Sequence, residues 1–126
     1  AHRIPYAATL SLAHREDFLR KVRLAARTRG FRFLLMLSPC PTGWKSEAED
    51  SVELIRDAVR CGIFPLYEVF DGSRYRINME RDGASVNAYC ERQRRYRPET
   101  LGASLIQARI DEQWRYLKAM AAAFPA

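Results

Sequence analysis

Apolar and polar residues fall along this chain as short solid runs separated by helical stripes. Ile4-Pro5-Tyr6-Ala7-Ala8-Thr9-Leu10 is β-branched and aromatic and reads as a buried strand. Glu16 and Asp17 lie where the first turn of a helix favours acids. Phe18, Val22, Ala25 and Ala26 follow at helical spacing, which predicts a helix from about residue 15 to about 29 with Gly30 as its cap. The run Phe33–Leu37 within Phe31–Leu37 is uniformly apolar, the pattern of a strand buried on both faces. Ser38–Trp44 then packs Pro39, Pro41 and Gly43 into one short stretch, a composition that argues against helix or strand. Ser46 and Glu49 form an S-x-x-E capping signature ahead of a helix whose face is Val52, Ile55, Ala58 and Val59, and which stops at Cys61-Gly62.

Phe64–Phe70 reads as a third strand, with Pro65 at its start or edge. Asp71-Gly72 is a hairpin signal and Tyr75–Ile77 a short return strand. Ser85–Tyr96 reads as a short basic helix broken by Pro98, and a last helix is predicted over about 99–121 with Ile106, Ile110, Trp114 and Leu117 on one stripe. The order β-α-β-α-β, then a hairpin and two helices, predicts an α/β fold with parallel pairing by right-handed crossovers. At 126 residues the chain is one domain, 1–126, without internal repeat or linker. Three main strands make a thin sheet, and both faces of the second strand want cover. The chain therefore reads as the second half of a larger α/β domain, and Ala1 rather than Met in first position reads as the start of a fragment.

Composition narrows the classes. The chain is 48% hydrophobic and 29% charged, as a soluble globular chain is, and no apolar run reaches the roughly 18–20 residues of a membrane span. No secretory signal opens it. Cys40, Cys61 and Cys90 are an odd, widely spaced set without C-x-x-C, so a disulfide framework and a zinc site made from this chain alone are both disfavoured, and reduced cytoplasmic thiols are expected. The net charge is +6, and apart from Lys21, Lys45 and Lys118 every basic residue is arginine. That excess reads either as compositional bias or as anion recognition. The densest stretch, Arg92–Arg97 with Tyr89 and Tyr96 beside it, reads as a solvated face, a subunit contact or a nucleic-acid track; no nucleic-acid-binding motif accompanies it. Neither G-x-G-x-x-G nor G-x-x-x-x-G-K occurs, and no carboxylate pair stands out for acid–base work, so catalytic residues remain unassigned. Cys40 is different. It follows the carboxyl end of a strand, where open α/β sheets bind ligands. It is read either as a functional thiol aimed by its prolines or as a buried small hydrophobe. Neither His2 nor His14 is placed near it as a base, and Cys61 and Cys90 read as structural.

Ser38-Pro39-Cys40-Pro41-Thr42-Gly43-Trp44 resembles the S-P-C-P-T-G-W loop of 2-oxoacid:ferredoxin oxidoreductase beta subunits of the pyruvate synthase type. Ile4–Thr9 is similar to that family's G-[IV]-P-Y-V-A-T strand, and Glu16-Asp17 to its P-E-D helix start. Ala58-Val59, Gly62 and Pro65-Leu66-Tyr67-Glu68 are similar to A-V-x-x-G-x-x-P-L-Y-E. Val86, Tyr89, Gln93, Arg95 and Tyr96 fit V-x-x-Y-x-x-x-Q-x-R-[FY], and Asp111–Trp114 looks like D-E-x-W. His14-Arg15 departs from the usual aromatic–proline pair, and Cys61 from a frequent threonine. The resemblance covers essentially the whole chain. It implies the C-terminal half of a thiamine-diphosphate-binding parallel-sheet fold with a C-terminal helical extension. It further implies oxidative decarboxylation of a 2-oxoacid, pyruvate by the G-W that follows P-C-P-T, with coenzyme A, or the reverse synthesis. Cys40 is then one ligand of a 4Fe-4S cluster whose other cysteines lie upstream. Thiamine diphosphate, magnesium and the cluster belong to the full complex with alpha, gamma and delta-type subunits and ferredoxin; this chain alone is expected to bind none of them. The alternative is a stand-alone, non-catalytic basic α/β module that binds a protein or nucleic-acid partner.

Overall fold

In the computed structural model, which describes residues 3–96 and 102–126, the elements are β1 (Tyr6–Ser11), α1 (Arg15–Arg27), β2 (Arg32–Leu37), α2 (Pro41–Trp44), a 3-10 turn at Ala48–Asp50, α3 (Ser51–Arg60), β3 (Tyr67–Phe70), β4 (Arg74–Ile77), α4 (Val86–Glu91) and α5 (Ala103–Ala123). His2, the Pro98 break and the expected start of the last helix at 99 lie outside the described residues.

The α/β class holds, but the sheet is mixed, in the order β2-β1-β3-β4. β1 and β2 pair in parallel, Tyr6 opposite Arg32 through Ser11 opposite Leu37, and α1 is the crossover between them. β3 runs antiparallel to β1, with Ala8 opposite Glu68, and this corrects the expectation of an all-parallel sheet. The reason lies in where α3 goes. Its buried face, Leu54, Ala58 and the following Cys61, packs with Val86, Tyr89 and Cys90 of α4 and with Ile110 and Trp114 of α5. α3 is thus part of a helical cluster and not a crossover returning the chain to the far end of the sheet. The chain re-enters the sheet at the carboxyl end of β1, where the Thr9 hydroxyl donates to Pro65 O (2.7 Å) and accepts from Tyr67 N–H (3.0 Å). A strand that starts there can only run back. The Asp71-Gly72 hairpin forms as expected, with positive φ at both residues (53° and 70°), the requirement of a type I′ turn.

Other boundaries shift for local reasons. The S-x-x-E box does not form. α3 begins after the 3-10 turn with Asp50 at its N-cap, and Ser46 is buried in the chain before it, its hydroxyl without a hydrogen-bond partner. The expected basic helix over Ser85–Tyr96 ends at Glu91, capped at its start by the Ser85 hydroxyl, which accepts from Asn87 N–H. Gly62 follows α3 at φ +86°, and a Cβ there would lie 2.4 Å from Trp114 Nε1. The indole instead donates to Gly62 O at 2.9 Å. Trp114→Phe keeps an aromatic ring but removes the indole N–H and part of the buried volume, and so orphans that buried carbonyl. It is expected to lower stability by about 1–3 kcal/mol, read as a shift of the urea midpoint without a change of slope.

Charge is buried between α1 and the sheet. Glu68, fully buried, accepts from Arg20 on both oxygens (3.1 and 2.9 Å), from Tyr6 Oη (2.8 Å) and from Asn78 Nδ2 (2.6 Å). Lys21, also fully buried, donates to Thr9 O (2.9 Å). Its Nζ is 2.6 Å from Asp17 Oδ2, an ion pair that lies off the line of a hydrogen bond. Burial draws the Lys21 ammonium below its ordinary value, against the pull of Asp17.

The expected cover of β2 is missing. Phe33, Leu34, Leu35 and Met36 are all exposed, 36–49%. The register puts Leu34 and Met36 on the side of Ala8 and Leu10, and Phe33 and Leu35 on the other. β2 is an edge strand, and no layer of the described residues lies over it. The opposite edge is closed: Tyr75 of β4 donates to Phe124 O (2.8 Å) and accepts from Ala126 N–H (3.1 Å).

Candidate functional site

The loop at the carboxyl end of β2 is better ordered than its composition suggests. Proline is tolerated in the first turn of a helix, where its missing N–H has no partner to lose. Pro41 starts the single turn α2 there, with Cys40 as the N-cap. This corrects the expectation that Ser38–Trp44 holds no helix. Trp44 N–H donates to Cys40 O (2.7 Å) and Ser46 N–H to Pro41 O (3.1 Å), and Lys45 ends the turn in the left-handed region at φ 53°.

Cys40 is exposed, which removes its reading as a buried small hydrophobe. Its Sγ accepts a hydrogen bond from Gly43 N–H at 3.4 Å. The other two thiols, Cys61 and Cys90, are buried in the helical cluster as expected, and burial pushes both upward and keeps them protonated. The side-chain partner of His14 is Ser11. Its Nδ1 lies 2.8 Å from Ser11 Oγ, and burial, with Arg56 nearby, lowers its affinity for a proton.

A clasp from the turn after α4 holds the loop. Arg95 stacks its guanidinium 4.5 Å over the Trp44 ring and 4.8 Å over Tyr96, while its backbone N–H donates to Trp44 O (3.3 Å). Arg94 donates to Lys45 O from its Nε (3.1 Å) and pairs with Glu47 (2.9 Å). Tyr89 meets Trp44 edge to face at 6.3 Å. Arg92 turns to Asp57 at 3.6 Å. Three cations of the Arg92–Arg97 run are therefore occupied within the fold, and no feature of the described part favours the nucleic-acid track; Arg97 lies outside the described residues. The sequence reading missed Arg94 and Arg95 as loop holders. Arg95, Gln93 and Tyr96 were visible only as pieces of a family pattern.

Among the described residues no three His, Cys, Asp or Glu side chains gather in a metal-holding group. Cys40 fits a cluster as one ligand. It is accessible, its sulfur already accepts an N–H as thiolate ligands of iron–sulfur clusters do, and the space beside it is left open by the bare Cα of Gly43. Among the described residues, the hydrogen bond at the exposed Cys40 sulfur comes from the backbone N–H of Gly43 and not from a titratable side chain.

The comparisons with known proteins agree in class. The chain is 38% identical over 128 aligned positions to the ketoisovalerate oxidoreductase subunit VorB of Pyrococcus furiosus, covering 98% of this chain and 41% of the relative. It is 42% identical over 119 positions to the pyruvate synthase subunit PorB of Methanocaldococcus jannaschii, covering 93% and 40%. PorB of Pyrococcus furiosus is 40% identical over 99 positions, covering 79% and 30%. No family model matches. The chain thus belongs with oxidoreductase subunits; in particular, its family is that of VorB and PorB, the beta subunits of 2-oxoacid:ferredoxin oxidoreductases. It spans about two fifths of the length of the first relatives named. Among the described residues, no helix is long and apolar enough to cross a membrane.

Proposed function

We propose that this chain is part of a beta subunit that acts on a 2-oxoacid with coenzyme A, releasing acyl-CoA and carbon dioxide and passing electrons to ferredoxin, or running the reverse synthesis. Cys40 is one thiolate ligand of its 4Fe-4S cluster. The observation that carries the reading is the exposed Cys40 sulfur in the S-P-C-P-T-G-W loop at the end of β2, while both other thiols are buried and protonated. The relatives' names divide between pyruvate and ketoisovalerate, so the proposal is for the 2-oxoacid class and not for pyruvate alone. Those names also mark subunits, which supports a multisubunit assembly.

When bound, thiamine diphosphate with magnesium supplies the carbanion chemistry and the cluster takes electrons singly. In this chain Cys40 would hold one iron, with Gly43 N–H supporting the sulfur, and Pro39 and Pro41 restrict the backbone on either side. The Arg95–Trp44–Tyr89 stack keeps the loop against the helical cluster. The remaining three cluster cysteines and the diphosphate site would come from sequence beyond these residues, and the uncovered β2 is where that sequence would pack.

The test is made on the complete polypeptide with its partner subunits, purified without oxygen. Cys40→Ala is expected to lose about four irons per site, the matching paramagnetic signal, and 2-oxoacid-dependent ferredoxin reduction. Cys61→Ala and Cys90→Ala should retain the iron. An unchanged iron content and cluster spectrum in Cys40→Ala would overturn the assignment.

A further inference from the structure

We propose that Gly43 is a positioning residue for the Cys40 sulfur, an inference that rests on Cys40 being a cluster ligand. Gly43 lies inside α2, and its φ is outside the left-handed region, so the backbone does not require glycine there. Glycine is also a poor helix residue, and alanine would ordinarily serve better. What distinguishes the position is its neighbour. A Cβ on residue 43 would sit 3.2 Å from Cys40 Sγ and 3.7 Å from Cys40 Cβ, with no other non-local atom within 4 Å. The same residue donates its N–H to that sulfur at 3.4 Å. Donor and bare Cα together form one side of the sulfur's site.

The two states of the thiol respond differently to a methyl group there. A free cysteine has other staggered rotamers and turns aside. A sulfur fixed by iron cannot turn, so the added methyl must push the loop, lengthen the N–H···S bond, or both. Hydrogen bonds to cluster sulfurs stabilise the more negative, reduced state and help to set its potential. Gly43→Ala therefore acts on the loaded cluster and spares the empty loop.

The experiment compares wild type, Gly43→Ala and Cys40→Ala in the complete complex under anaerobic conditions, by redox titration followed by electron paramagnetic resonance. Thermal melting of the cluster-free polypeptides is measured in parallel. The expected result is a cluster in Gly43→Ala with altered g-values and a more negative midpoint, while the cluster-free variant melts at or above wild type. Loss of the cluster from a variant whose cluster-free form melts like wild type supports the proposal equally. A wild-type potential and spectrum in Gly43→Ala, with Cys40→Ala stripped of its cluster, overturns this proposal and leaves the ligand assignment standing. A fall in cluster-free melting also overturns it, because the glycine would then serve the fold and not the sulfur. A cluster untouched by Cys40→Ala removes both.

Discussion

Replacing Glu68 by alanine is expected to lower the stability of this chain by about 3–5 kcal/mol, the range for breaking a buried ion pair. The carboxylate is fully buried and accepts four hydrogen bonds, two of them a bidentate fork from Arg20. Removing it strands the Tyr6 hydroxyl and the Asn78 amide in the interior. The Arg20 side chain is 44% exposed and can turn to water, which places the loss toward the lower end of that range. Glu68→Gln is the informative companion. It keeps the shape but presents an amide group to the Arg20 or Asn78 donors, so it should still cost about 1.5–3 kcal/mol. The pH dependence separates the two effects. Burial raises the Glu68 pKa, but the bonds from Arg20, Asn78 and Tyr6 outweigh it and hold the group below its ordinary 4.5. A carboxylate depressed on folding contributes stability that is complete above its unfolded pKa and is lost as pH falls through its folded value. Wild-type stability should therefore decline below about pH 4.5, and that component should be absent in Glu68→Gln. Urea titrations at pH 7 and pH 4, followed by the fluorescence of Trp44 and Trp114 together, measure both. Equal stability of all three chains at pH 7 would show that the network contributes nothing.

The buried network also marks where a reading of the sequence runs out. Hydropathy rules place lysine and glutamate outside. They fail at Lys21 and Glu68 because each finds partners on another element, a relation between positions 12 and 48 residues or more apart that no local window contains. A strand within Phe64–Phe70 was legible, though it forms only over Tyr67–Phe70, and its direction was not. Periodicity identifies a strand, and only the packing of α3 into the helical cluster, with Thr9 gripping Pro65 and Tyr67, makes it antiparallel. Ser46 and Glu49 had the right spacing for a cap, yet the short turn at Ala48–Asp50 moved the helix start past them. At the candidate site the residues alone left Cys40 open between a functional thiol and a buried small hydrophobe. A cysteine between prolines after a strand is a local feature, and it stands exposed where the strand ends. Its support, Arg94 and Arg95, arrives from some fifty residues away and was seen only as charge and, for Arg95, as a piece of a family pattern.

The apolar run at β2 forms a strand as its pattern predicts, but both of its faces are exposed rather than covered, and that exposure is the largest liability of the isolated chain. A long apolar edge with free backbone donors and acceptors is a template for pairing with another chain. The isolated chain is accordingly expected to self-associate through β2 at micromolar concentration. Leu34 and Leu35 point to opposite faces and are 36% and 49% exposed. Completing the burial of such a half-buried leucine contributes roughly 1 kcal/mol, about half of the full value. A symmetric pair presents each position twice, so the double change Leu34→Lys with Leu35→Lys removes roughly 4 kcal/mol, before any cost of burying ammonium groups. Association should weaken on the order of a hundredfold or more, and sedimentation velocity over a concentration series would show monomers where wild type forms dimers or larger species. In the complete subunit the same double change should instead reduce folding yield, because there the strand would be covered from within. A monomeric wild-type chain, together with a complete subunit indifferent to both lysines, would mean that β2 faces water in the working protein and that the covering segment has to be sought against another surface.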